Sequence, residues 1–174
     1  MHELLFYGDS RLRISALPVV DFSSDLKNFT DFMVLMLNQS KALGLAATQI
    51  NDRRSAIVVR NENPDISPYV FINPTITKFS TEKSSDGEGC LSFPGVNFVI
   101  ERSTNVSLEA VDINGVPIII EDISGLTARI IQHEVDHING LLFSDRLSAG
   151  QKLLVNNKLK KIAKYYGTHI QHTN

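Results

Sequence analysis

His133 and His137 stand four residues apart, with Glu134 and Asp136 between them, in the run Gln132-His133-Glu134-Val135-Asp136-His137. On a helix, positions i and i+4 project from one face, so both imidazoles can reach one cation, and Glu134 points beside it as a candidate proton acceptor. Two imidazoles seldom hold a catalytic cation alone, so a third ligand has to be found. The extended metalloprotease pattern His-Glu-x-x-His-x-x-Gly-x-x-His has its glycine here at Gly140 but Phe143 where the third histidine belongs, and no glutamate follows Glu134. Asp145, His169 and His172 remain downstream, the two histidines in a polar tail. Upstream, the sole cysteine, Cys90, lies in Gly87-Glu88-Gly89-Cys90-Leu91-Ser92, where glycines let backbone approach a helix or a ligand closely. One thiolate and two imidazoles leave a fourth position for water, which is the donor set of hydrolytic metal chemistry. The bland readings are histidines that merely hydrogen-bond in a buried helix and a small inert core cysteine.

These side chains need elements to bring them together. Ser24 to Ala42 repeats apolar residues at three and four, Leu26, Phe29, Phe32, Met33, Met36 and Leu37, which predicts an amphipathic helix. Short β-rich runs follow at Ala56 to Arg60, Tyr69 to Ile72, Val96 to Ile100, Asn105 to Val111 and Val116 to Glu121, punctuated by Asn-Pro, Asp-Gly and Asn-Gly turns. Asn114-Gly115 reads as a hairpin turn. The motif helix should start at a cap on Ser124 or Asp122 and run to about Asn139, with Gly140 as a left-handed end. A third helix is expected from near Ser148 to about Tyr166, ending at Gly167. Helices at both ends with strands between give an α+β class.

The chain has 174 residues, 43% hydrophobic and 21% charged, enough for one sizeable core, so residues 1–174 are expected to form a single catalytic domain. No apolar run approaches the length of a membrane helix, and Met1 to Arg13 lacks the uninterrupted apolar stretch of a secretory signal. A lone thiol fits a reducing compartment, so the cytoplasm is the expected location. The net charge of −2 is uneven: residues 146–174 carry +6 and no acid, and the first 145 carry −8. Lys158, Lys160, Lys161 and Lys164 form either a solvated helix face or a patch for ribosomal RNA; nothing points to DNA or a membrane.

Three ordered motifs make the chain resemble the peptide deformylase family. Its Gln-His-Glu-x-Asp-His is intact at Gln132 to His137 and its Glu-Gly-Cys-Leu-Ser at Glu88 to Ser92. Its Gly-x-Gly-x-Ala-Ala-x-Gln is matched over Ala42 to Gln49, with Ala42 in place of the first glycine. The resemblance implies antiparallel sheets packed around a central motif-bearing helix, with further helices at the two ends. It implies removal of the formyl group from the N-terminal formyl-methionine of newly made polypeptides, releasing formate. Cys90, His133 and His137 would hold one divalent ion, natively Fe(II), with Zn(II), Ni(II) or Co(II) as alternatives. Glu134 would be the base and then the acid, and Gln49 with the backbone N–H of Leu91 would stabilise the oxyanion. Gly44 and Leu45 resemble the strand edge along which substrate lies, and Gly89 falls in the same substrate-binding set. Leu43, Leu126 and Ile130 are candidates for the methionine pocket or for plain core packing. Asn97 stands near where relatives often carry a basic residue, and Arg102 is kept. Asp136 either pairs with Arg102 or a ligand histidine, or lies on a solvated helix face.

Overall fold

The computed structural model describes residues 2–169. The first helix, α1 (Ser24–Gln39), buries Leu26, Phe29, Met33 and Leu37 on one face, as the spacing predicts. It stops short of the expected Ala42 because Arg60 reaches its end: Nη2 donates to Leu37 O at 2.8 Å and Nε to Ala42 O at 3.1 Å. A cation thereby satisfies terminal carbonyls that would otherwise continue the helix or need water.

Among the described residues seven strands follow: β1 (Gly44–Ala46), β2 (Ala56–Val59), β3 (Tyr69–Phe79), β4 (Lys83–Gly89), β5 (Asn97–Ser103), β6 (Asn105–Val111) and β7 (Pro117–Ser124). Five of them form an antiparallel sheet in the order β1-β2-β3-β6-β7, and β4 pairs with β5 in a separate antiparallel ribbon. Among the described residues, no strand pairs with the outer edges of β1 and β7 in the larger sheet. The Asn-Pro signal after Ile72 is a bulge rather than a turn. Asn73 takes φ +52, the register shifts between Ile72 and Thr75, and β3 continues to Phe79. The Asn73 amide is held on the backbone of Val19, accepting from its N–H at 2.8 Å and donating to its carbonyl at 2.9 Å. Strand β4 has no counterpart among the expected elements, and β5 and β7 run about three residues further than expected.

Helix α2 (Gly125–Ile138) follows β7 with Ser124 in the N-cap position, although its hydroxyl makes no capping bond; Asp122 instead accepts from Asn105 Nδ2 at 2.7 Å. Every residue from Ala128 to Ile138 is buried. Its apolar face, Ala128, Ile131, Val135 and Ile138, packs on Ile57, Val59, Phe71 and Leu108 of the larger sheet. Its polar positions turn toward Glu88 on β4 and Arg102 on β5. The helix ends at Gly140 with φ +73, where a β-carbon would stand 2.5 Å from Arg13 O. The last helix, α3 (Ala149–His169), is entered through reciprocal bonds between Ser148 and Gln151 and passes through Gly167, where an end was expected. Leu159 and Ile162 pack it against Leu5, Phe93 and Phe98, and Tyr166 stacks on Phe6 at 3.9 Å. His172 lies outside the described residues. Among those described, no helix is long and apolar enough to cross a membrane.

Candidate metal centre

One turn of α2 separates His133 from His137 and sets their rings 5.0 Å apart. Cys90 follows the last residue of β4, and its Sγ lies 3.2 Å from His137 Nε2. The ligand atoms of Cys90, His133 and His137 all fall within 4.8 Å of one another. Asp145 is placed elsewhere, paired with Arg13 and accepting from Leu142 N–H at 2.8 Å. His169 closes the last turn of α3.

Glu88 fixes the first imidazole. Its Oε2 lies 2.9 Å from His133 Nδ1, which leaves Nε2 for the cluster. The same carboxylate accepts two bonds from Arg102, at 2.7 and 2.9 Å, and one from Arg129 at 2.8 Å. Burial alone would raise the Glu88 pKa, but the hydrogen bonds of His133 and Arg102 outweigh it and lower it to about 2. Asp136 pairs with Arg102 at 2.7 Å, as one reading of the sequence expected, and also with Arg146 at 2.5 and 2.6 Å; it does not touch a ligand histidine. The roles of Glu88, Arg129 and Arg146 are not legible from sequence alone, though Glu88 sits inside the Cys90 motif and Arg129 falls on the face of α2 that carries Gln132, His133 and Asp136.

Gln49 lies in a 3₁₀ turn, Ala47–Ile50, that directly follows β1. Its Oε1 accepts from Ala46 N–H at 2.9 Å, so the amide has one orientation, with Nε2 3.3 Å from both Cys90 Sγ and Ser92 Oγ. Glu134 is buried, and that burial raises its pKa to about 7 against the opposing charges of His133 and Arg102. Its Oε2 has no hydrogen-bond partner among the described residues. Burial acts to lower the His133 pKa, but bonds to Cys90 and Glu88 overcome it and hold it at about 10. His137 is pushed well below its ordinary value by burial and by the charges of His133 and Arg102, which outweigh the opposing charge of Glu88.

A cavity of about 520 Å³ opens beside the cluster. It is lined by Leu43, Gly44, Gln49, Gly89, Cys90, Leu91, Leu126, Ile130, His133 and Glu134, among others. Leu45 does not reach it: alternation along β1 sends its side chain into the core with Leu37 and Val58, while Gly44 faces Glu134. His137 lies behind the cavity wall at 1% exposure. A thiolate and two imidazole nitrogens at these separations suit a first-row divalent cation, and the unpaired Glu134 Oε2 is available to a water molecule beside it.

The profile of a family described as polypeptide deformylase matches residues 1–153. The chain belongs to the peptide deformylase family. The peptide deformylase of Psychrobacter arcticus is 39% identical over 161 residues, 92% of this chain and 87% of that protein. A solved peptide deformylase from Plasmodium falciparum is 35% identical with a TM-score of 0.88, covering 99% of this chain and 100% of that one. One from Legionella pneumophila is 32% identical with a TM-score of 0.85, covering 100% and 99%. As a peptide deformylase, the chain is a metal-dependent hydrolase that removes the formyl group from the N-terminal methionine of nascent polypeptides.

Proposed function

We propose that the cavity beside Cys90, His133 and His137 receives the formyl-methionyl end of the nascent chain, and that Glu134 moves the protons of its hydrolysis. The observation that supports this best is the buried Glu134 carboxylate in the wall of the cavity that Cys90 also lines, with an Oε2 that has no hydrogen-bond partner among the described residues and a pKa that burial raises. A divalent cation held by Cys90, His133 and His137 would supply Lewis acidity and make a water molecule acidic near neutral pH. Glu134 accepts the proton of the attacking water and passes it to the amine nitrogen as the C–N bond breaks, so formate and a free methionyl amine result. A carboxylate that titrates near the working pH serves in both directions. Gln49 Nε2 and the Leu91 N–H donate to the formyl oxygen as it gains charge.

The substrate main chain lies along the free edge of β1, where Gly44 offers its backbone groups, in the cavity that Gly89 at the end of β4 also lines. Leu43, Leu126 and Ile130 form the apolar walls for the methionine side chain. Leu45 takes no part through its side chain. Formate release from formyl-Met-Ala, without cleavage of the unformylated peptide, tests the reading. Glu134→Ala should keep its metal and lose at least about a hundredfold in turnover; full turnover in that variant would contradict the assignment.

Fe(II) is the native ion in this proposal, on the strength of the family resemblance, since the donor set itself accepts zinc, nickel or cobalt. Elemental analysis after anaerobic purification, paired with the deformylation assay, decides it. The enzyme works in the cytoplasm, where nascent chains are made, and the exposed Lys158, Lys160, Lys161 and Lys164 on α3 draw it to ribosomal RNA. Ribosome cosedimentation that weakens with salt and is lost when these lysines become Glu would support that; binding that is unchanged would reject it.

A further inference from the structure

The cavity that holds Glu134 and Cys90 extends to Lys41. This lysine is exposed, and among the described residues no carboxylate or other group pairs with its ammonium. The cavity wall offers it no counter-charge either. The two carboxylates there are Glu134, beside the metal ligands, and Glu88, which is committed to Arg102, Arg129 and His133. Asn97, also in the lining, is neutral.

The edge of β1 sets where an extended chain would meet Lys41. Leu43 O accepts from Arg60 N–H at 2.7 Å, so the polar groups of Leu43 and Leu45 turn toward β2, and those of Gly44 and Ala46 turn outward. Gln49 takes the Ala46 N–H and faces Cys90, which makes the Ala46 end of this edge the reacting end. A peptide whose formyl group lies there must leave in the other direction, past Gly44 and Leu43 toward Lys41. Three residues of extended chain span about 10 Å. With the methionine beside Gly44, the residue two or three positions after it arrives beside Lys41.

We propose that Lys41 is a specificity residue: it favours nascent chains that carry a carboxylate side chain at the second or third position after formyl-methionine. This rests on the substrate reading given above. A solvated pair of this kind changes an equilibrium by about two- to fivefold, and the effect weakens as salt shortens the Debye length.

The test is kcat/KM on C-terminally amidated formyl-Met tetrapeptides with Asp, Asn or Lys at the third and fourth residues, at low and high salt. Wild type should favour Asp over Lys by about two- to fivefold at low salt, with the preference fading at high salt. Lys41→Glu should reverse the order. Failure to hydrolyse even the Asn peptide would overturn the substrate reading itself. Hydrolysis of all three peptides at equal rates, or an order that Lys41→Glu leaves unchanged, would overturn only the role of Lys41. An acid preference seen only with unamidated peptides would assign the contact to a free chain end and overturn it for nascent chains.

Discussion

Gly44 faces the carboxylate of Glu134 so closely that a β-carbon at position 44 would overlap Glu134 Oε1. The missing side chain is the space in which the proposed base sits, and β1 supplies that space next to its own free edge. Gly44→Ala should therefore displace Glu134 and lower kcat by about ten- to a hundredfold, since small misplacements of a catalytic group have effects of that size. Metal content and the far-ultraviolet circular dichroism should stay as in wild type. Unchanged turnover would mean that Glu134 has another position from which to act.

Gln49 is oriented by the Ala46 N–H, with its donor end toward Cys90. Gln49→Leu keeps the volume and removes the donor. We expect kcat to fall about 10²- to 10³-fold with little change in KM, the pattern of an interaction made mainly in the transition state. A rise in KM at constant kcat would assign Gln49 to substrate binding instead.

Glu88 gathers Arg102, Arg129 and His133 around one buried carboxylate. Its folded pKa of about 2 is below the ordinary 4.5, so its contribution to stability is complete above about 4.5 and is lost as pH falls through about 2. Acid unfolding of wild type should steepen across that window, and Glu88→Gln should flatten it. The same variant loosens the His133 ring and should weaken metal affinity about ten- to a hundredfold. Equal acid profiles for the two proteins would remove Glu88 from the account.

How much of this was legible in the sequence depends on how far each feature reaches along the chain. The helix carrying His133 and His137 follows from its apolar spacing and end residues, and the hairpin follows from the Asn114-Gly115 pair, where Gly115 has φ +82. Strand β4 does not, because Lys83 to Gly89 is polar and glycine-rich and buries only Glu88. Its pairing with β5 replaces the missing apolar alternation. Asn73-Pro74 looks like a stop, yet Val19 from a distant segment holds the Asn73 amide and the strand continues. The resemblance places the main chain of Leu45 on the substrate edge, and alternation along β1 turns its side chain to the core. The role of Glu88 depends on the register that sets it opposite Phe98 and on where α2 packs, and neither is a local property.

Cys90, from the end of β4, is placed to complete a cation site with two histidines of α2. Titration of the metal-free protein with Co(II) under anaerobic conditions tests it directly, through the thiolate-to-cobalt charge-transfer absorption. Wild type should saturate at one equivalent, and Cys90→Ala should lose both the band and tight binding. A Cys90→Ala protein that binds cobalt as tightly as wild type, or a wild type that shows no such band, would contradict it.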